Sequence, residues 1–167
     1  CDAAICVGVG ADVDPLMVAA FARLGALSAR GRAAPFATTR DGFVLGEGAA
    51  ALVLAAERGD AAVEVAGGAR SPAGGSLIAP DPDARGAQRA IAGALSDAAA
   101  TGPTRIGYVA AHGTATPIGD AVEAAALRAV LGEQLGGARV GAVKSSLGHW
   151  IAGAGALGAV CAWHAVA

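Results

Sequence analysis

The chain has 167 residues, a formal net charge of −2, 54% hydrophobic and only 4% aromatic content. That length supports one domain with a real core, and near-neutral charge with so few aromatics offers no footprint for nucleic acid. Cys1, Cys6 and Cys161 are irregularly spaced and make neither a disulfide framework nor a CxxC metal site, so a reducing, cytoplasmic compartment is the expectation.

Ala3 to Gly8 is apolar throughout, as a parallel strand covered on both faces would be. Gly8-Val9-Gly10-Ala11-Asp12 turns the chain. It lacks the third glycine and spaced acid of a dinucleotide fingerprint. Pro15 to Leu24 predicts a helix with Pro15 in its first turn, and Leu16, Ala20 and Leu24 share a face that reads as core. A basic loop follows, with Arg23, Arg30, Arg32 and Arg40 in an otherwise neutral chain. It reads either as a solvated surface or as a landing site for an acidic partner. Glycine-rich Asp41 to Gly48 leads into a predicted strand at Ala49 to Leu54. With no Gly-Lys-Ser/Thr after it, this is not a phosphate loop. Glu57 to Asp60 predicts a turn, Val63 to Gly67 the second strand of a hairpin, and Gly67 to Asp83 a surface loop. Ala84 to Ala99 reads as an amphipathic helix, with Thr101 to Arg105 as the linker beyond it.

Tyr108 to Ala111 fits a short buried strand that discharges into a turn-rich segment, His112 to Asp120, and an Ala-rich helix to Leu131. The same shape recurs: a strand at Arg139 to Val143, then Lys144 to His149, then a long Ala/Gly helix. Two strand-to-helix turns, each carrying a histidine, can aim both imidazoles at one pocket. Ile151 to Val160 is apolar but short, a core helix rather than a membrane span. Strands alternating with helices argue for an α/β protein with a mostly parallel sheet. Cys1 begins directly on an apolar run and Ala167 ends inside an apolar helix without a cap, which reads as a piece of a longer polypeptide.

Three ordered blocks carry a resemblance. His112-Gly113-Thr114-x-Thr116-Pro117-x-Gly119-Asp120-x-x-Glu123, Lys144-Ser145-x-x-Gly148-His149, and upstream Arg40-Asp41-Gly42-Phe43-Val44-Leu45-Gly46-Glu47-Gly48 closely resemble the β-ketoacyl synthases. These are the decarboxylative condensing enzymes of fatty-acid and polyketide synthesis. The resemblance implies a thiolase-like fold, layered α-β-α, of which residues 1–167 would be a single piece. That piece would hold the end of the first half and most of the second, without the upstream nucleophile region or the C-terminal end. The implied reaction is acyl transfer by decarboxylative Claisen condensation of an acyl thioester with malonyl-acyl carrier protein.

His112 and His149 are then the implied donors to the malonyl thioester oxygen, where two imidazole N–H groups form an oxyanion-type site. Lys144, with Glu123 as partner, is expected to fix tautomers and orient the ring. Asp120 reads either as a helix cap or as a support behind His112. Thr114 and Thr116 are expected to hydrogen-bond the phosphopantetheine arm, with turn stabilisation as the alternative. Arg30 and Arg32 become candidates for docking the acyl carrier protein. No metal or cofactor is implied beyond the phosphopantetheine that carries the substrates, and the family pairs as homodimers or with a ketosynthase-like partner.

The chain also departs from the family. Val9 and Asp12 are mild exceptions in their turn, and the loop after Arg30 is short. Trp150 stands where the family has a smaller residue, which narrows the acyl pocket or fills core space. His164 has no motif around it and reads as structural or surface. The family's nucleophilic cysteine lies in an Ala-Cys-Ser-Ser-like elbow that Cys1, Cys6 and Cys161 do not match. A thiol buried in apolar surroundings is inert, so this chain alone is not expected to condense anything. Paired histidines argue against initiating synthases and thiolases, and Thr116-Pro117 with the style of Arg40 to Gly48 favours the discrete, type II-like enzymes, with a modular polyketide domain as the alternative. The rival is a non-catalytic partner resembling a chain-length factor, and retention of both histidines and Lys144 counts against it.

Overall fold

Among the described residues, the alternation of strand and helix folds into two small sheets bridged by one helix. The computed structural model describes residues 1–57, 59–60, 63–72, 81–102 and 105–167. β1 (Ala3–Gly10) and β2 (Gly48–Ala55) pair antiparallel along their whole length. β3 (Tyr108–Ala110) and β4 (Arg139–Gly141) pair in parallel. The helices are α1 (Pro15–Arg23), α2 (Arg85–Ala99), α3 (Pro117–Leu131), the single turn α4 (Lys144–Leu147) and α5 (Ala154–Val166). Helix α5 packs against β1, β2 and β3, and α2 lies on α3.

Local chemistry explains the boundaries. α1 starts where the Asp14 carboxylate accepts the N–H groups of Leu16 (2.7 Å) and Met17 (2.9 Å), with Pro15 at the first helical position. α3 starts at Pro117, and Gly132 (φ 52°) follows its last residue. β1 meets α5 closely because Gly8 has no β-carbon: one there would strike Ala156. Ala126, Leu127 and Leu131 of α3, Leu157 of α5 and Phe43 supply buried apolar side chains.

Several expectations give way. The longest pairing is antiparallel, and β1 is covered on one face only. Gly8 and Gly10 meet Ala156 and Trp150, whereas Ile5, Val7 and Val9 are 73%, 61% and 52% exposed. A strand that is apolar on both faces does not say which face is covered. Cys1 and Cys6 are accordingly exposed and Cys161 half-buried, not sealed in a core. The apolar face expected of α1 is also bare, with no buried residue in the helix. Val63 to Gly67 forms no strand among the described residues. Val65 is exposed, and Gly67 turns in against the Ala94 and Ala98 backbone of α2, so this apolar run joins no ladder. The predicted turn at Glu57 to Asp60, the loop Gly67 to Asp83 and the linker Thr101 to Arg105 each include positions outside the described residues. β4 stops at Gly141, two residues short of the expected end, and a 3₁₀ turn (Ile151–Gly153) precedes α5.

Candidate active site

The parallel register of β3 and β4 ends both strands at one level: Ala110 lies opposite Gly141, and the Ala111 N–H donates to the Gly141 carbonyl (2.8 Å). The two turns therefore leave the same sheet edge side by side. At the first, Glu123 of α3 accepts the N–H of His112 on one oxygen (2.6 Å) and that of Gly113 on the other (2.8 Å). From the second turn, the Lys144 ammonium donates to the His112 carbonyl (2.6 Å). Among the described residues no ion pair joins Lys144 to Glu123. Instead both hold the backbone of His112, Glu123 on its N–H and Lys144 on its carbonyl, and among the described residues no hydrogen bond joins Lys144 to its ring. Lys144 is 5% exposed. Burial pulls its pKa down, while the charges of Glu123 and Asp120 pull it back up.

His149 is held differently. Its N–H donates to the Val44 carbonyl (2.8 Å) and its carbonyl accepts from Gly46 (3.1 Å). Its ring stands edge-on to Phe43, with centroids 5.0 Å apart. The Ile151 N–H donates to Nδ1 (3.0 Å). A ring nitrogen that accepts carries no proton, so the proton of the neutral ring resides on Nε2. Ile151 has φ 45°, a left-handed conformation rare for a β-branched residue. Nothing in the sequence marks that contact in advance. Burial, then Lys144, then His112 lower the pKa of His149 to about 4. The His112 pKa is lowered by desolvation first and Lys144 second, against Glu123 and Asp120. His112 is an exposed residue even so. The two centroids lie 5.6 Å apart with the planes at 85°. The site thus presents two imidazoles, both biased towards the neutral form.

Around them the turn is tied from behind. Asp120 is 1% exposed, and its carboxylate accepts from Ala115 (2.9 Å) and Phe36 (2.6 Å). Both donors are non-glycine residues at positive φ, 61° and 60°. Asp120 thus secures two strained backbones rather than the first turn of α3. The Thr114 and Thr116 hydroxyls lie 3.0 Å apart, and Thr116 precedes α3 without capping it. A cleft of about 410 Å³ reaches from His112 and Lys144 past Ile151 along Gly155 and Gly158 of α5. Larger clefts exist, one of about 910 Å³ beside Trp163. It holds a single histidine, His164, exposed and edge-on to Trp163 at 4.6 Å.

Arg30 and Arg32 stand apart from this group. Arg30 forks onto Asp41 with two contacts of 3.1 Å, and the Ser28 hydroxyl adds a third (2.8 Å). Those bonds, Arg30's first, lower the Asp41 pKa. Arg32 is exposed, with its N–H on Ser28. Trp150 is half-buried: its indole N–H donates to the Leu147 carbonyl (3.0 Å), and its ring occupies the room left by Gly46 and Gly48. Those glycines were the signal that could have placed it. Among the described residues no cysteine sulfur bonds either imidazole, no group of three or more His, Cys, Asp or Glu could hold a metal ion, and no helix is long and apolar enough to cross a membrane.

Comparison with known proteins gives matches along the whole chain. The β-ketoacyl synthase N-terminal domain model matches residues 1–62 and the β-ketoacyl synthase C-terminal domain model residues 62–167. The chain is 40% identical to the 3-oxoacyl-[acyl-carrier-protein] synthase 2 of Synechocystis sp., an alignment covering 99% of this chain and 42% of that protein. It is 39% identical to a phenolphthiocerol/phthiocerol polyketide synthase of Mycobacterium bovis, over 95% of this chain and 9% of the relative. Among solved structures, a type II polyketide synthase acyl-carrier protein in complex with its ketosynthase superposes with a TM-score of 0.86 at 32% identity, covering 98% of this chain and 43% of that one. The ishigamide ketosynthase/chain length factor gives 0.84 at 35% identity, over 98% and 40%. The thiolase-like fold class follows from these neighbours.

Proposed function

Because the chain belongs to the β-ketoacyl synthase family, we propose that it carries the decarboxylation half of a type II-like condensing site. The observation that supports this is the pair of imidazoles 5.6 Å apart, one with its proton directed to Nε2 by the Ile151 N–H. The malonyl thioester oxygen accepts an N–H from each ring. As the C–C bond to the carboxylate breaks, CO2 leaves and its electron pair becomes an enolate whose charge rests on that oxygen. Neutral donors held in place before the reaction stabilise developing charge without reorganising. The enolate carbon then attacks the acyl-enzyme carbonyl, forming the new C–C bond and expelling the thiolate. Products are the 3-oxoacyl carrier thioester and CO2.

In this reading the nucleophilic cysteine lies outside these 167 residues, and no resident metal or cofactor takes part. The chain spans 42% of the first curated relative, so the whole protein's partners are part of the proposal. They are an acyl carrier protein whose phosphopantetheine arm meets Thr114 and Thr116, and a second ketosynthase-like protomer. Arg30 is already neutralised by Asp41, which leaves Arg32 the freer of the two docking arginines.

The test supplies the intact natural protein with an acyl-carrier donor and malonyl-carrier protein and follows carrier-bound products by mass spectrometry. A 3-oxoacyl carrier with stoichiometric CO2 supports the reading. CO2 release without chain extension keeps the decarboxylation half and overturns the condensation, whereas no reaction with any acyl length overturns the whole reading in favour of a non-catalytic partner.

A further inference from the structure

We infer that Arg40 is a positioning residue that sets the place of His112 and its turn relative to His149. The stretch from Phe36 to Gly46 touches both histidine turns. On one side the Phe36 N–H meets Asp120, and the Gly42 N–H donates to the Ala115 carbonyl (2.8 Å). On the other, Val44 and Gly46 hold the His149 backbone, and the Phe43 ring meets its imidazole. This strap links the two turns independently of the β3–β4 ladder.

Arg40 provides its charged cross-tie. One terminal nitrogen donates to the Ala37 carbonyl (3.0 Å), closing the strap on itself. The other donates to the carbonyl of Pro117 (2.8 Å), the first residue of α3 and 77 positions away. The planar guanidinium makes both bonds with one rigid group, which a lysine cannot reproduce. Its Nε–H is buried with no partner. Burying an unpaired donor costs stability, so stability alone does not call for arginine here. What the side chain secures is the start of α3, just after Thr114 and Thr116. His149 hangs from the strap's far end, beyond Gly42. Gly42 has φ 134°, with the backbone of Ala26 and Leu27 where a β-carbon would stand.

Loss of Arg40 therefore displaces the His112 side selectively. The kinetic arm of the test rests on the function proposed above; the spectroscopic arm does not. In the intact natural protein carrying Arg40→Gln, kcat for condensation is expected to fall about tenfold, since small misplacements of reacting groups carry large rate penalties. In ¹⁵N-histidine spectra the His112 ring signals shift while those of His149 stay in place. Arg128→Gln, at an exposed arginine lining the same cleft as Arg40, leaves rates and spectra unchanged. Arg40→Lys gives an intermediate effect and serves as the readout should the glutamine variant not fold. Equal movement of both histidines, a rate within twofold of wild type, or failure of both variants to fold overturns the inference. A wild-type protein without condensing activity sinks the proposed function but leaves the spectral comparison decisive for Arg40.

Discussion

At the first turn the fold grips the backbone of His112, with Glu123 on its N–H and Lys144 on its carbonyl, and leaves the residue exposed. At the second it holds the backbone through Val44 and Gly46 and grips the ring as well, with the Ile151 N–H on Nδ1 and Phe43 against one side. Two segments that look alike in sequence thus place an imidazole in two ways. The first is fixed by where its peptide sits. The second is fixed by which nitrogen can hold the proton. Burial follows the same division: His149 is 8% exposed, and its pKa is the one pressed down to about 4.

Replacing the rings gives the largest effects and separates the two roles. His112→Ala and His149→Ala should each lower malonyl-carrier decarboxylation by about 10²–10³-fold, the usual loss for one oxyanion donor. Only His149→Ala should also lower the unfolding free energy, by about 1–3 kcal/mol, because it leaves the Ile151 N–H unpaired. Rates and denaturant melts of both variants check this. Equal destabilisation would erase the contrast.

Lys144→Gln comes next. It weakens the hold on the His112 carbonyl and removes the charge that depresses both imidazoles. Activity should fall by about tenfold, within the range for a hydrogen bond to a charged group. The pKa values of both histidines should rise, measurable by NMR titration. A rise confined to His112 would mean that the Lys144 field does not reach His149.

Glu123→Gln is the mildest. The carboxylate accepts two backbone N–H groups, whereas an amide offers one acceptor and faces a donor to the other. Stability should drop by about 1–3 kcal/mol, with activity falling only a few-fold. Denaturant unfolding checks it, and an unchanged midpoint would mean that the turn finds another acceptor.

What was legible in the chain follows the same contrast. The positions of both turns, both histidines, Lys144, Glu123 and Asp120 could be read, because strand, turn glycines and helix start are local signals. Proline at Pro117 and the apolar strand before His112 point to one arrangement without help from distant residues. How the rings are held could not be read. The Ile151 bond depends on a strained φ, and the ties of Asp120 to Phe36 and of Arg40 to Pro117 join positions 84 and 77 apart. Lys144 and Glu123 were legible as residues, but not as two hands on one backbone. The hairpin at Val63 to Gly67 failed for a related reason. β-branched residues favour a strand only where a neighbour offers a ladder, and here Gly67 meets α2 instead. The bare faces of β1 and α1 show the same limit, since apolar character alone does not name its cover.

The two imidazoles also set an acid boundary. An unfolded histidine takes its proton near 6.5, but His149 in the fold holds out to about 4. Between those values the unfolded chain binds more protons. The contribution of His149 to stability is therefore fully present above 6.5 and is lost as pH falls towards 4.

The central claim, two neutral N–H donors facing one oxygen, is tested most directly by titrating the intact natural protein with ¹⁵N-labelled histidine from pH 7.5 to 4. The account predicts that His149 is a neutral Nε2–H tautomer that gains its second proton only near pH 4, and that His112 titrates below 6.5. A His149 protonated on Nδ1 at neutral pH, or either ring titrating at or above 6.5, would contradict it.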